Sequence, residues 1–198
     1  MQENDRHCNT TKNNIFQVAA QLFSEKGYNG VSMREISEKC EVSKPTIYYY
    51  FGSKEGIYKE LLETGVDHVF SAMEHIAAQP VPVKQRLVTF YKQFFYAAQT
   101  QPDYVKFFLK MFIAPEREPL LVDMRREAER RGRVIVNMIQ EAVDSGEFGA
   151  SARPELAAHI IGGVLQSFIW HQLLSDEKVL SDELAEEIVE LLFKGLNE

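Results

Sequence analysis

The sequence predicts an all-α fold, and three observations carry that expectation. Apolar residues recur three and four positions apart along most of the 198 residues. No stretch alternates with the period of two that a half-buried strand needs. The interruptions fall at serine, glycine and proline positions suited to helix ends.

The elements follow in order. The first helix is expected from about Thr11 to Lys26, with Ile15, Phe16, Ala19, Leu22 and Phe23 on one face and Gly27 closing it. The acidic, polar stretch before it, including Cys8, reads as a loose arm, whereas Cys40 reads as a core residue. Ser32 opens a second helix, and Glu35 three residues on completes a capping box. Ile36 and Cys40 are its inward positions. Ser43 is the next cap, with Lys44 and Pro45 in the first turn of a third helix that ends near Tyr50 and Phe51. Ser53 caps a long fourth helix to Ala77, striped by Ile57, Leu61, Leu62, Val66, Val69, Phe70, Met73 and Ile76. Gln79-Pro80-Val81-Pro82 breaks the pattern. Five further helices are expected near 83–100, 103–113, 117–145, 153–175 and 180–196. The domain reading is a three-helix head over residues 1–52 and a helical body over 53–198, connected by the helix 53–77.

Composition bounds the function. Hydrophobic residues at 45% and charged residues at 26% describe an ordinary globular protein. No apolar run reaches the ~18–20 residues that span a bilayer. The N-terminus lacks a signal peptide's apolar centre, so no membrane is expected and the cytoplasm is the default location. Two cysteines support neither a disulfide framework nor a zinc site. The histidines lack a carboxylate pattern for a metal. There is no nucleophile elbow, metal-ligand spacing or phosphate-binding glycine loop, so no catalytic residue, metal or cofactor is expected and an enzyme is not the favoured reading. The net charge of −7 is uneven. Residues 1–59 carry eight Lys/Arg against seven Asp/Glu, and residues 60–198 carry fourteen against twenty-two. A nucleic-acid face needs only a local set of cations and N–H groups, so total charge does not veto one.

The informative stretch is Val42 to Phe51 followed by Gly52-Ser53-Lys54-Glu55. Two short helices joined by a tight turn and backed by a longer one make a helix-turn-helix unit. The N-terminus of its third helix offers unpaired N–H groups and partial positive charge suited to phosphate. Lys44 can reach a phosphate or a guanine edge, and Thr46 can hydrogen-bond or touch a thymine methyl. Tyr48 and Tyr49 supply planar surfaces with long hydroxyl reach, while Ile47 and Phe51 should point inward. Arg34 suits a base edge or phosphate, and Lys54 a phosphate. Three neighbouring aromatics cannot all be buried on so short a helix, because helical geometry sends them in different directions.

Residues from about Ile15 to Leu62 resemble the N-terminal domain of the TetR/AcrR family of bacterial transcriptional regulators. The resemblance rests on Ala19-Ala20-Gln21-Leu22-Phe23, Lys26-Gly27-Tyr28, Val31-Ser32-Met33-Arg34-Glu35-Ile36, the segment Val42 to Phe51, and Ser53-Lys54-Glu55. It implies a double-stranded operator contacted around the caps Ser32 and Ser43 by Met33, Arg34, Lys44, Pro45, Thr46, Tyr48, Tyr49 and Tyr50, with Lys54 at the phosphate-binding lysine. Glu41 departs from the pattern, since it stands where the family usually has glycine. If that position needs positive φ, glutamate costs on the order of 1 kcal/mol.

By the same resemblance the body binds an effector and forms a homodimer. Its aromatic and sulfur-bearing residues suit a small, largely apolar or aromatic effector, with Phe70, Phe90, Phe94, Phe108, Met111, Phe112, Met138, Gln166 and Trp170 as candidates. A well-packed core is the better account of any single one of them, and only the cluster as a whole suits an effector. The last two helices carry more apolar surface than one monomer face can use, so Leu156, Ile160, Gly163, Val164, Ser167, Ile188 and Leu192 are the candidate dimer interface. The basic run Arg125 to Arg133 contains Glu127–Arg131 and Glu129–Arg133 pairs in the favourable i,i+4 order and reads as a solvated helix face. The expected function is a ligand-responsive repressor released from a pseudo-palindromic operator by its effector. The rival readings are a helical enzyme or carrier using the aromatic region, and a regulator that works without an effector.

Overall fold

The computed structural model describes residues 2–113, 132–175 and 177–197, and among them lie nine helices and no strand. They are α1 (Gln2–Lys26), α2 (Met33–Cys40), α3 (Lys44–Phe51), α4 (Lys54–Ala77), α5 (Val83–Thr100), α6 (Pro102–Ile113), α7 (Arg133–Asp144), α8 (Pro154–Leu174) and α9 (Asp182–Asn197). None of the described helices is long and apolar enough to cross a membrane. Most ends match the sequence expectation within two residues. One does not: α1 begins at Gln2, so Cys8 lies within a helix and not in a loose arm. No proline or glycine interrupts Gln2 to Lys12, and adding residues to a nucleated helix costs little even where nothing is buried. Of the expected 117–145 helix only residues from Gly132 are described; there α7 starts at Arg133 with Gly132 at its N-cap position, and the Glu127–Arg131 and Glu129–Arg133 pairs lie outside the described residues.

The chain divides into two compact units. The first takes α1, α2, α3, α4 as far as Asp67, and α6 from Asp103. Its core is the apolar stripe of α1 closed by Ile36 and Cys40 of α2, Ile47 and Phe51 of α3, and Ile57, Leu61 and Leu62 of α4. The α6 helix joins this core through Phe107, which is almost fully buried. Two polar ties flank that ring. The Tyr104 hydroxyl donates to Leu61 O at 3.0 Å, and Lys110 Nζ donates to Ser24 O at 2.5 Å. Burial pushes the Tyr104 phenol above its ordinary ionisation range, so it stays a donor. Gly65 permits the close fit, because a Cβ there would stand 2.6 Å from the Phe108 ring.

In the second unit α5 packs against α7, α8 and α9. Tyr91 is fully buried and donates its hydroxyl to Ile161 O of α8 at 2.8 Å. The unit's main polar node is Arg86, only 8% exposed. Its guanidinium takes both oxygens of Glu141 on α7 at 2.7 Å each, and also donates to Val81 O at 2.8 Å and Ala77 O at 3.0 Å. One side chain thereby ties together the last carbonyl of α4, a carbonyl of the proline-broken link and a carboxylate on α7. The planar fork suits this; an ammonium could not reproduce it. Glu147 supplies the missing cap of α5, accepting from the backbone N–H of Val83 at 3.1 Å and of Lys84 at 3.3 Å. Pro82, at the cap position itself, has no side chain that could do so. Gln172 Oε1 accepts from Val179 and Leu180 N–H, which holds the approach to α9.

Replacing Arg86 by alanine should lower the stability of the protein by about 2–3 kcal/mol in chemical denaturation, since it strands carbonyls and a carboxylate at once. Lysine should recover little of this loss. Arg86 holds the Glu141 carboxyl below its ordinary value. A depressed carboxylate stabilises above its unfolded value and loses that contribution as pH falls through the folded one. The stability difference between wild type and Glu141→Gln should therefore shrink as pH falls below about 4.3.

Candidate nucleic-acid interface

Three serines fix where the helices of the first unit begin. Ser32 Oγ accepts from Glu35 N–H at 3.1 Å, Ser43 Oγ from Thr46 N–H at 3.3 Å, and Ser53 Oγ from Gly56 N–H at 3.0 Å. Ser43 and Thr46 also share a hydroxyl bond of 2.8 Å. Glu35 pairs with Lys26, and that hydrogen bond holds its carboxyl below the ordinary range, with the Ser32 backbone N–H adding to the effect. The Ser32 half of the capping box is formed, and the Glu35 carboxylate has Lys26 as its side-chain partner.

The turn between α2 and α3 is closed by Ser37. Its carbonyl accepts from the N–H of Glu41 and, at 3.2 Å, from that of Val42, while its hydroxyl donates to Val42 O at 2.7 Å. Asn14 of α1 donates to Cys40 O at 2.9 Å and ties the same turn to the longest helix of the head. Glu41 is left-handed, with φ 56° and ψ 31°, and is the only non-glycine among the described residues with positive φ. The condition attached to this position is met: the turn needs the conformation that glycine adopts freely.

On α3, Ile47 is completely buried and Phe51 nearly so. The opposite face carries Tyr49, 82% exposed, and Tyr48, 48% exposed. Lys44 and Pro45 are exposed and Thr46 half-buried. Lys44 stands at the first helical position, and the first turn holds no acid. A cation on the positive end of a helix is unfavourable unless an anion is supplied from outside. Arg34 lies exposed on α2 and pairs with Glu38 at 2.7 Å, a weak surface pair that a phosphate could displace.

Three residues of the sequence-derived set turn toward the protein. Met33 and Tyr50 are half-buried against the head core. Tyr50 also meets Tyr49 edge-on at 5.3 Å. Lys54 Nζ donates to Tyr28 O at 2.9 Å and Val31 O at 3.0 Å and sits 4.2 Å from the Tyr28 ring centroid. Sequence reasoning passed over Asn14 and Ser37, whose role shows only once the turn they close is folded.

Of the effector candidates, Phe108 belongs to the first unit and Phe70, Phe90, Phe94, Met138, Gln166 and Trp170 to the second. Phe90 and Phe94 meet at 4.8 Å between centroids; Phe70, Phe90 and Met138 are buried, and Phe94, Gln166 and Trp170 half-buried. The side chains of Met111 and Phe112 lie outside the described ones. The dimer candidates surround a different feature. An apolar surface groove of about 400 Å³ runs between α8 and α9, lined among others by Ala157, Ile160, Val164, Phe168, Ile188, Leu191 and Leu192. Leu156 and Ile160 are exposed beside it, and a Cβ on Gly162 or Gly163 would meet open space.

This arrangement is a helix-turn-helix unit with one face of α3 held in the core and the other exposed. The family model for bacterial regulatory proteins of the tetR family matches residues 15–61. The chain is 26% identical over 196 residues to the HTH-type transcriptional regulator YuxN of Bacillus subtilis, covering 93% of this chain but only 63% of that protein's length. Two solved structures share the fold. PfmR, a TetR-family transcriptional regulator of Thermus thermophilus, superposes with TM-score 0.73 at 24% identity over 93% of this chain and 99% of its own. The transcriptional regulator FadR of Bacillus subtilis, solved in complex with stearoyl-CoA, gives TM-score 0.73 at 21% identity over 92% and 97%. Residues 15–61 thus match the tetR family of bacterial regulatory proteins, and the chain as a whole shares the fold of these solved regulators.

Exchanging Glu41 for glycine should stabilise the head by about 0.5–1 kcal/mol, the relief of left-handed strain less the added chain entropy. A raised denaturation midpoint with unchanged helicity checks this.

Proposed function

We propose that the protein is a homodimeric, ligand-responsive repressor that reads a pseudo-palindromic operator with α3. The carrying observation is the opposition of the two faces of α3. Ile47 and Phe51 hold it in the core, while Tyr48, Tyr49 and Lys44 stand outward from its exposed face and first turn. Arg34, Pro45 and Thr46 complete the proposed operator surface, and Met33 and Tyr50 support it from the core side.

Two-fold pairing of α8 and α9 would cover the groove lined by Ile160, Val164, Ile188 and Leu192 and bring two heads to one duplex. Leu156, Gly163 and Ser167 continue the same surface. Burying such apolar area is worth about 25 cal/mol per Å². The effector is proposed to be largely apolar and to bind among the aromatic side chains of α5 and α8 and Met138 of α7. A fold-sharing protein solved with stearoyl-CoA makes long-chain acyl-CoA the first compound class to test. Effector binding would favour the conformation with lower operator affinity, with α4, whose residues belong to both units, as the shared element. A cytoplasmic location accompanies this reading.

Selection of bound duplexes from a random library should yield a two-fold-related site. Lys44→Ala combined with Tyr48→Ala should lower affinity for that site by at least about a hundredfold while dimer mass and helicity stay unchanged; retained affinity would refute the assigned surface. Ile160→Asp should give monomers by sedimentation and lose operator binding with the head still folded. In transcription from a promoter overlapping the site, added protein should reduce product and the effector should restore it.

A further inference from the structure

We propose that Lys54 serves operator recognition as a positioning residue, by clasping the turn between α1 and α2, and not as a phosphate contact. The inference rests on the operator-binding reading above. Four observations support it. The turn Tyr28-Asn29-Gly30-Val31 has a weak closing bond, with Val31 N–H 3.5 Å from Tyr28 O. Lys54 Nζ reaches the carbonyls at both ends of that turn, 2.9 Å to Tyr28 and 3.0 Å to Val31, from 26 and 23 residues away. Its charge lies 4.2 Å from the Tyr28 ring centroid, and that ring is backed by Tyr58, one turn further along α4, at 4.8 Å. Finally, Lys54 opens α4, where the helix's own field repels a cation, so the side chain is held by the carbonyls and the ring.

An ammonium has three N–H donors, and two are committed here to backbone oxygens. A phosphate would have only the third donor, on an ammonium already fixed by two partly buried bonds to the backbone. What the clasp controls is the start of α2. Val31 is buried, Ser32 follows it as the cap of α2, and α2 passes through the Ser37-closed turn into α3. A displaced 28–31 turn would therefore shift Arg34 directly and α3 through α2. Direct phosphate contact and positioning differ in what they do to salt dependence. A lost phosphate contact lowers the slope of log affinity against log salt by about 0.9 for each lysine removed. A lost strut leaves the number of released counterions alone and degrades the fit to the preferred bases.

The test uses the full-length protein on its selected duplex and on a scrambled one, by fluorescence anisotropy across a salt series. Lys54→Met keeps the stem and removes the donors; Tyr28→Leu keeps the cation and removes its ring. Both variants should lower the ratio of specific to non-specific affinity by about tenfold with the salt slope unchanged. Partial unfolding would lower both affinities equally and leave their ratio intact, so the ratio separates positioning from general instability. Amide exchange at Val31 and Ser32 should quicken in both variants. A slope reduced by about 0.9 per lysine with the ratio kept would overturn the proposal in favour of a phosphate contact, as would wild-type behaviour of both variants. Should Lys54→Met fail to fold, Tyr28→Leu decides alone, because a phosphate-contacting lysine would leave its ratio and slope at wild-type values. A wild-type protein with no preference among duplexes would instead refute the operator reading itself.

Discussion

The head depends on how firmly α3 is held by one face. The helix has eight residues and could not persist alone, since nucleation costs more than so few hydrogen bonds return. Its first turn is also electrostatically adverse, with Lys44 and no acid against the positive helix end, whereas α2, α4, α8 and α9 begin with Glu35, Glu55, Glu155 and Asp182 with Glu183. Stability must therefore come from Ile47 and Phe51, which lie against α1, α2 and α4 in a core with almost no exposed surface. That dependence frees the other face. Tyr48, Tyr49 and Lys44 need contribute nothing to folding, so they can be chosen for what they meet outside.

Holding α3 is not enough unless the connection before it has one conformation. Here the chain uses several small devices in series. Lys54 and Lys26 fasten the α1–α2 turn, Ser32 starts α2, and Ser37 with Asn14 ends it. Glu41 opposes these by sitting left-handed without being glycine. The strain is tolerated because the hydrogen bonds of Ser37 and Asn14 over-determine the turn, which is the usual condition for keeping such a residue.

Much of this was legible before any coordinates. Helix ends followed from serines, glycines and prolines, which act locally, and the inward positions of α1 to α4 followed from periodicity. Tyr50 and Met33 show where that reading thins: on a short helix, a half-buried aromatic and an exposed one have the same sequence context. Arg86 and Glu147 were invisible for a different reason. Arg86 meets Glu141 55 positions away, and Glu147 caps a helix beginning 64 residues earlier. Nothing local announces either, because the partner of a buried charge is chosen by the tertiary fold. The start of α1 was missed because polar residues without breakers simply continue a helix. In the body, a core phenylalanine and a ligand-facing one are the same residue in the same pattern, so periodicity does not separate them.

The last two helices show how far a pattern can be pushed when its width is counted. Ala157, Ile161, Leu165 and Ile169 form one buried stripe along α8, at spacings of four. That stripe alone would satisfy a monomer. A second set, Leu156, Ile160, Val164 and Phe168, follows at the same spacing, and the last three line the groove. On α9, Ala185, Val189 and Phe193 turn inward; Ile188, itself only 6% exposed, lines the groove with Leu191 and Leu192, and Leu191 is 69% exposed. A monomer has no use for two parallel apolar stripes on each of two adjacent helices, because the outer pair only adds surface that water disfavours. A second copy related by a two-fold axis would present the same stripes in return. The glycines at 162 and 163 leave room for backbones to approach. Glu187, a carboxylate on the groove's edge, would then have to stay at the solvated rim, which limits how deeply the two copies can interlock.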